Sequence, residues 1–310
     1  MAIVTRRWRN RSEWLPVALA VVLSMCGGGS APTPPTSPSP PTPTPPSPTP
    51  ITAVLVAAGD IAVCGSDGAR ATATLLDGIP GIVLAVGDLA YMSGTEQEFA
   101  DCYDSTWGRH KNRTRPIPGN HEYVTSAGAP YYAYFGDKAG PPGSGYYSYR
   151  AGGWLVLALN SNIPVRAGSA QYEWARAELR NEAGRCVAAY VHHPRFSSGP
   201  NGCCGHVGDL WSLLYEYGVE FVLSGHDHFY ERFAPQDPSG RLDLARGVRQ
   251  FVVGTGGHTL YSFEHVQPNS EVRVASWGVT KLTLASDSYS WEFVPVGSGP
   301  FGDTGTATCH

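Results

Sequence analysis

Residues 224–233 read SGHDHFYERF and set His226 and His228 one residue apart, directly after the apolar run EFVL. A strand ending in Gly-His-Asp-His uses its last pleat to aim two imidazoles at one place. Neutral imidazole is the commonest metal ligand, and core packing has no use for such a pair. Four other apolar runs end in comparable groups. ITAVLVAA ends at Gly59-Asp60, GIVLAV at the GDLAY of Asp88 and Tyr91, RPIP at the GNHE of Asn120, His121 and Glu122, and CVAAYV at His192-His193-Pro194. Three of these have an ordinary explanation when taken alone. Asp60 or Asp88 could cap a turn or helix, Tyr91 could pack in the core, and HHP could be a surface loop. A capped turn accounts for Asn120 but not for His121 beside Glu122. Together the five ends supply carboxylate, phenol, amide and imidazole, a donor set for hard and intermediate cations.

These groups need elements to bring them together. Continuously apolar runs of this length read as strands buried on both faces. WLVLAL, ending at Asn160, is another. Helical stretches are expected around Ala69–Leu76, Ala170–Asn181 and Gly208–Tyr217. Strand and helix alternate, so the chain reads as a layered α/β fold. QFVVGT, VTKLTLA and YSWEFVPV add a more antiparallel part. Ligands of open α/β sheets bind outside the carboxyl ends of the strands. Asp60, Asp88, Asn120, His192, His226 and His228 should therefore gather along one edge.

The series GD, GDLAY, GNHE, HHP and GHDH, running from Asp60 to about Glu231, resembles the calcineurin-like metallophosphoesterase superfamily. The tyrosine of GDLAY, with GNHEY and GHDHFYERF, is similar to its purple acid phosphatase branch. Two positions depart from the pattern. Asp60-Ile61-Ala62 lacks the glycine of the first motif, and Ala189 stands where the fourth usually has valine. Neither removes a ligating atom. The resemblance implies an α/β/β/α sandwich with two central mixed sheets. It implies that Asp60, Tyr91 and His228 hold one metal ion, that Asn120, His192 and His226 hold another, and that Asp88 bridges them. His193 is the alternative to His192. Carboxylate and phenolate suit Fe3+, and the second set suits Fe2+, Zn2+ or Mn2+. The implied reaction is cleavage of a phosphomonoester by attack of a metal-bound hydroxide, as in acid phosphatases. His121 is then the proton donor or phosphate clamp with Glu122 as its orienting partner, and His206 a second imidazole near the leaving group. Arg195 and Tyr123 are read as lining the cleft, and the cluster Tyr131–Phe135 as core and surface packing, with a place in the cleft as its alternative. A phosphodiesterase or nucleotide hydrolase on the same fold is the competing reading, and a binding protein with a dead site a third.

Bulk properties agree with an exported hydrolase. Arginines precede the apolar run LPVALAVVLSM, then Cys26 and GGGS, so residues 1–30 read as an export signal. LSMC is similar to a lipoprotein box with Cys26 lipidated, and a plain cleaved secretory signal is the alternative. Residues 31–50 contain only Ala, Pro, Ser and Thr, 11 of them Pro, and read as an extended stalk. The catalytic domain is then 51–310, and the protein periplasmic, surface-anchored or secreted. Beyond Pro50 the chain holds 18 Lys and Arg against 25 Asp and Glu. An acidic body argues against a nucleic-acid partner and, once metal is bound, leaves a small phosphorylated substrate open. Of seven cysteines, Cys64 is paired with Cys102, and Cys186 with Cys309. Cys203 and Cys204 form either a vicinal disulfide or two thiols.

Overall fold

The structure, a computed structural model, describes residues 52–310 except 183, 203 and 298–300. The export signal, Cys26, the stalk and Cys203 lie outside the described residues. Along the chain come β1 (Ala53–Ala58), α1 (Asp67–Gly78), β2 (Ile82–Val86), the short α2 (Glu96–Glu98), β3 (Thr114–Ile117), α3 (Ala129–Phe135), β4 (Tyr147–Ala151) and β5 (Trp154–Leu159). Next are α4 (Ala170–Arg180), β6 (Val187–Val191), α5 (Gly208–Glu216), β7 (Phe221–Ser224), β8 (Tyr230–Phe233) and β9 (Arg249–Val253). The last four strands are β10 (Ser270–Val274), β11 (Gly278–Leu284), β12 (Ser288–Pro295) and β13 (Thr304–Thr308).

The strands form two mixed sheets, ordered β13-β12-β11-β1-β2-β3 and β10-β8-β9-β7-β6-β5-β4. β1, β2 and β3 run parallel, as do β5, β6, β7 and β9. Side chains alternate between faces along a strand. Leu55 and Ala57 of β1 therefore enter a core shared with Val156, Tyr190 and Leu223 of the second sheet. Val56 and Ala58 turn the other way, onto Ala69, Ala73 and Leu76 of α1. In β5, Leu155, Leu157 and Leu159 meet Ala175 and Leu179 of α4 and Leu210 of α5. The order of layers is helix, sheet, sheet, helix. Strands covered on both faces must be apolar throughout, and these runs are.

Cys64–Cys102 and Cys186–Cys309 are disulfides. Among the described residues, no helix is long and apolar enough to cross a membrane. The cluster Tyr131–Phe135 forms α3, and Tyr131 and Phe135 are buried against Phe99 and Tyr103. The packing reading holds for these two rings, and the alternative place in the cleft does not, because their apolar faces are used in the core.

Candidate metal centre

The parallel strands of both sheets end at one edge. Asp60 follows β1, Asp88 follows β2, Asn120 follows β3, His192 follows β6 and His226 follows β7. Three of these turns are strained: φ is 59° at Asp60, 51° at Asp88 and 73° at His226. Left-handed backbone at a non-glycine residue costs about 1–2 kcal/mol and persists where the surroundings dictate it. The glycines that open the motifs have a steric cause. A Cβ on Gly119 would stand 2.1 Å from Asp88 Oδ1, and one on Gly225 would stand 2.6 Å from Asp60 Oδ2. The motifs interlock so tightly that only glycine fits between them.

The side chains converge on two neighbouring points. At the first, Tyr91 Oη lies 2.9 Å from Asp60 Oδ1, 3.2 Å from Asp88 Oδ2 and 3.3 Å from His228 Nε2. At the second, His192 Nε2 lies 3.2 Å from Asp88 Oδ2 and 3.1 Å from Asn120 Oδ1. One ligating atom each of Asp88, His192 and His226 falls within 4.8 Å of the others. Asp88 Oδ2 is common to both points. His193 instead bonds through Nδ1 to Ser161 Oγ at 2.7 Å, so its neighbour His192 occupies the centre.

The hydrogen bonds around these groups fix which atoms face inward. His192 Nδ1 donates to Val86 O at 2.9 Å, and His228 Nδ1 donates to Thr259 O at 2.8 Å. A carbonyl only accepts, so in the neutral rings the lone pair is on Nε2, toward the carboxylates. Asp60 Oδ2 accepts from the His226 N–H at 2.9 Å, and Asp88 Oδ1 from the His121 N–H at 2.8 Å. Each carboxylate thereby keeps its other oxygen for the centre.

Burial and charge act against each other at the two aspartates and at His192. Burial pushes both aspartates up, but the imidazoles outweigh it. His228 and then His192 hold Asp60 below its usual value, and His192 and then His121 do the same for Asp88. Burial would lower His192, yet Asp88 and Asp60 raise it to about 10. Burial and His192 push His226 down to about 4. Burial, Asp60 and Asp88 raise the Tyr91 phenol well above its ordinary range. His192 Nε2 faces one carboxylate oxygen, Asp88 Oδ2, and the amide oxygen of Asn120. Metal cations would take that place, and the donors fit them.

Glu122 departs from its expected role. Its buried carboxylate accepts four backbone N–H groups: Leu89 and Ala90 on Oε1, Asp88 and Gly119 on Oε2. Burial and the charge of Asp88 push it up to about 7 against these bonds. The His121 ring is held elsewhere, through Nδ1 on Met92 O at 2.6 Å, with Nε2 3.9 Å from Asp88 Oδ2. The two residues are adjacent, but their side chains diverge. His206 is exposed, with its ring 5.0 Å from His193, which lies 4.4 Å from His226. It stands at the rim, two rings from the centre. The Arg195 guanidinium goes to Pro238 O and over the Phe196 ring, which are not part of the cluster. Tyr123 Oη accepts from Asn160 Nδ2 and meets Tyr132 Oη, a bond that braces the loop after β3.

One residue escapes the sequence reading. The His258 ring lies 4.1 Å from Tyr91 and 4.5 Å from His228. Its backbone is fixed by donation to Asp60 O and acceptance from Trp277 Nε1. It follows the apolar run QFVV in GTGGH, so the signal that marked GHDH, a histidine after a strand and glycine, also marks it.

Comparison with known proteins agrees with this geometry. The sequence model for the calcineurin-like phosphoesterases matches residues 53–230. The chain is 28% identical to purple acid phosphatase 15 of Arabidopsis thaliana over 247 residues, 64% of this chain and 45% of that protein. It is 30% identical to purple acid phosphatase 21 of the same plant over 168 residues, 47% of this chain and 36% of that one. The chain thus spans about half or less of these relatives. Among solved structures, a purple acid phosphatase from yellow lupin (Lupinus luteus) seeds superposes with a TM-score of 0.72 at 20% identity, over 83% of this chain and 54% of that one.

Proposed function

The chain belongs to the calcineurin-like phosphoesterase family and is similar to its purple acid phosphatase branch, and from that premise we propose that it is an exported, dinuclear-metal phosphomonoesterase. The observation that carries this reading is the sharing of Asp88 Oδ2 between the Tyr91–Asp60–His228 group and the His192–Asn120–His226 group. Asp60, Tyr91 and His228 would hold one ion, Asn120, His192 and His226 the other, with Asp88 between. Carboxylate and phenolate favour Fe3+ in the first position, and imidazole with amide favours Fe2+, Zn2+ or Mn2+ in the second. Such a pair, when bound, supplies Lewis acidity toward a phosphate ester and acidifies water.

The protein's own groups do the rest. His192 and His228 present Nε2 because backbone carbonyls hold Nδ1. His121, anchored by Met92 O, aims Nε2 at the side of Asp88 facing the cleft. In its protonated form it can clamp a phosphoryl oxygen or hand its proton to the leaving alkoxide. Two disulfides suit an oxidising compartment. The segments expected to direct export and anchoring are part of the same proposal, with residues 51–310 as the catalytic domain.

The test is hydrolysis of p-nitrophenyl phosphate beside bis(p-nitrophenyl) phosphate by the full chain and its Asp88→Asn variant. A monoester preference is expected, and the variant should lose more than about a hundredfold in activity together with its bound metal. Protein purified in air should be coloured by tyrosinate-to-Fe3+ charge transfer, and Tyr91→Phe should bleach it. A diester preference would move the chain to phosphodiester chemistry.

A further inference from the structure

Next to the ligand cluster, a groove of about 520 Å3 runs along the loop that follows β5. Its near end is Ser161 and His206, both against His193, whose ring lies 4.4 Å from His226. Ile163, Pro164 and Val165 make its wall apolar, and Arg166 completes it. The wall is anchored at both ends. Asn162 Nδ2 donates to Pro118 O and to Asn160 Oδ1 at 3.1 Å each, and the Ala167 N–H donates to Asp209 Oδ2 at 2.9 Å. The groove is therefore shaped before any ligand arrives, and its volume suits a small organic molecule. Arg166 is exposed, and among the described residues no carboxylate pairs with its guanidinium. On a body with 25 acidic and 18 basic residues, Arg166 sets a cation beside an apolar wall.

We propose that this groove receives the leaving-group half of the substrate, and that the preferred substrates are organic phosphates whose apolar or aromatic body ends in a second anionic group held by Arg166. The inference rests on the phosphomonoesterase reading, since the groove is read from the metal centre outward. A guanidinium binds a carboxylate or phosphate through charge-assisted hydrogen bonds, often two in parallel. The apolar wall adds burial for the body between the two anions.

The probe pair is 4-(2-carboxyethyl)phenyl phosphate and its methyl ester. Two methylenes insulate the carboxylate from the ring, so the leaving phenols match and only the second charge differs. The wild-type enzyme should show kcat/KM about tenfold higher for the acid, mostly through KM. Arg166→Ala should bring the ratio near one, Arg166→Lys should keep part of it, and Arg166→Glu should favour the ester. A ratio near one in the wild type, or one unmoved by Arg166→Ala, overturns the proposal. Calorimetry with the non-hydrolysable phosphonate of the acid separates this inference from the one beneath it. If p-nitrophenyl phosphate is not turned over but the phosphonate binds about tenfold more weakly to Arg166→Ala, the monoesterase reading fails and the groove stands. Equal binding to both proteins removes the groove.

Discussion

At the scale of single residues, Glu122 shows how a motif can contain structure and chemistry side by side. His121 faces the cleft, while the next side chain turns inward and gathers the N–H groups of Asp88, Leu89, Ala90 and Gly119. It ties the turn after β2 to the turn after β3, and so fixes Asp88 relative to Asn120. Glu122→Gln would place an amide NH2 against two of those N–H donors and leave them buried without acceptors. Each such group costs about 1–3 kcal/mol, so we expect a loss of roughly 3 kcal/mol and a midpoint lower by about 6–12 °C. Calorimetry of the variant checks this, and an unchanged midpoint would show that the turn does not depend on the carboxylate. The donor types at the site were legible in the sequence because Asp, Tyr, Asn and His each followed an apolar run. The direction of Glu122 was not, since adjacent residues in a tight turn diverge according to φ and ψ that no residue type dictates.

At the scale of elements, the strands covered on both faces could be read directly. β5 is WLVLAL from end to end, buried throughout, and β1, β2, β6 and β7 also coincide with apolar runs. The strands that could not be read have one face in water or polar residues in both positions: β4 (YSYRA), β10 (SEVRV) and β13 (TGTAT). β8 was hidden for another reason, because YERF lies inside the stretch read as a metal motif. That stretch also holds a second device. Asp227 accepts from Ser197 Oγ and from the Asn201 N–H, and Glu231 accepts from the Ser198 N–H at 2.9 Å and from Ser198 Oγ and Ser270 Oγ. The residues between and beyond the two histidines thus pin the loop that runs on to His206. Glu231→Ala removes the acceptor for three donors. Amide exchange across residues 196–206 should then accelerate by about tenfold or more, with exchange in β5 and β6 unchanged. Equal protection in both proteins would mean that Asp227, Gln250 and the backbone bonds to Ser198 O hold the loop without Glu231.

At the scale of the whole molecule, the proposed centre is a joint between the two sheets. Asp60, Asp88, Tyr91 and Asn120 come from the first sheet, and His192, His226 and His228 from the second. Cations held by both sets stabilise only the folded arrangement, so metal binding becomes folding free energy. Cys186–Cys309 is a second joint, linking the residue before β6 in one sheet to the residue after β13 in the other. Cys186 precedes β6 and His192 follows it, so disulfide and ligands act at opposite ends of that strand. The disulfide closes a span of 123 residues, and the chain-entropy estimate for a loop of that size is about 5 kcal/mol, with typical measured losses of about 2–5. The paired Cys186→Ser, Cys309→Ser protein should therefore unfold at a midpoint lower by roughly 5–15 °C while keeping kcat and metal content close to those of the parent. Chelation of the parent should lower the midpoint and abolish turnover together, and chelation of the double variant should lower it further. If removing the disulfide instead released metal, the two joints would be one mechanical unit, and the strand between them would carry strain from one end to the other.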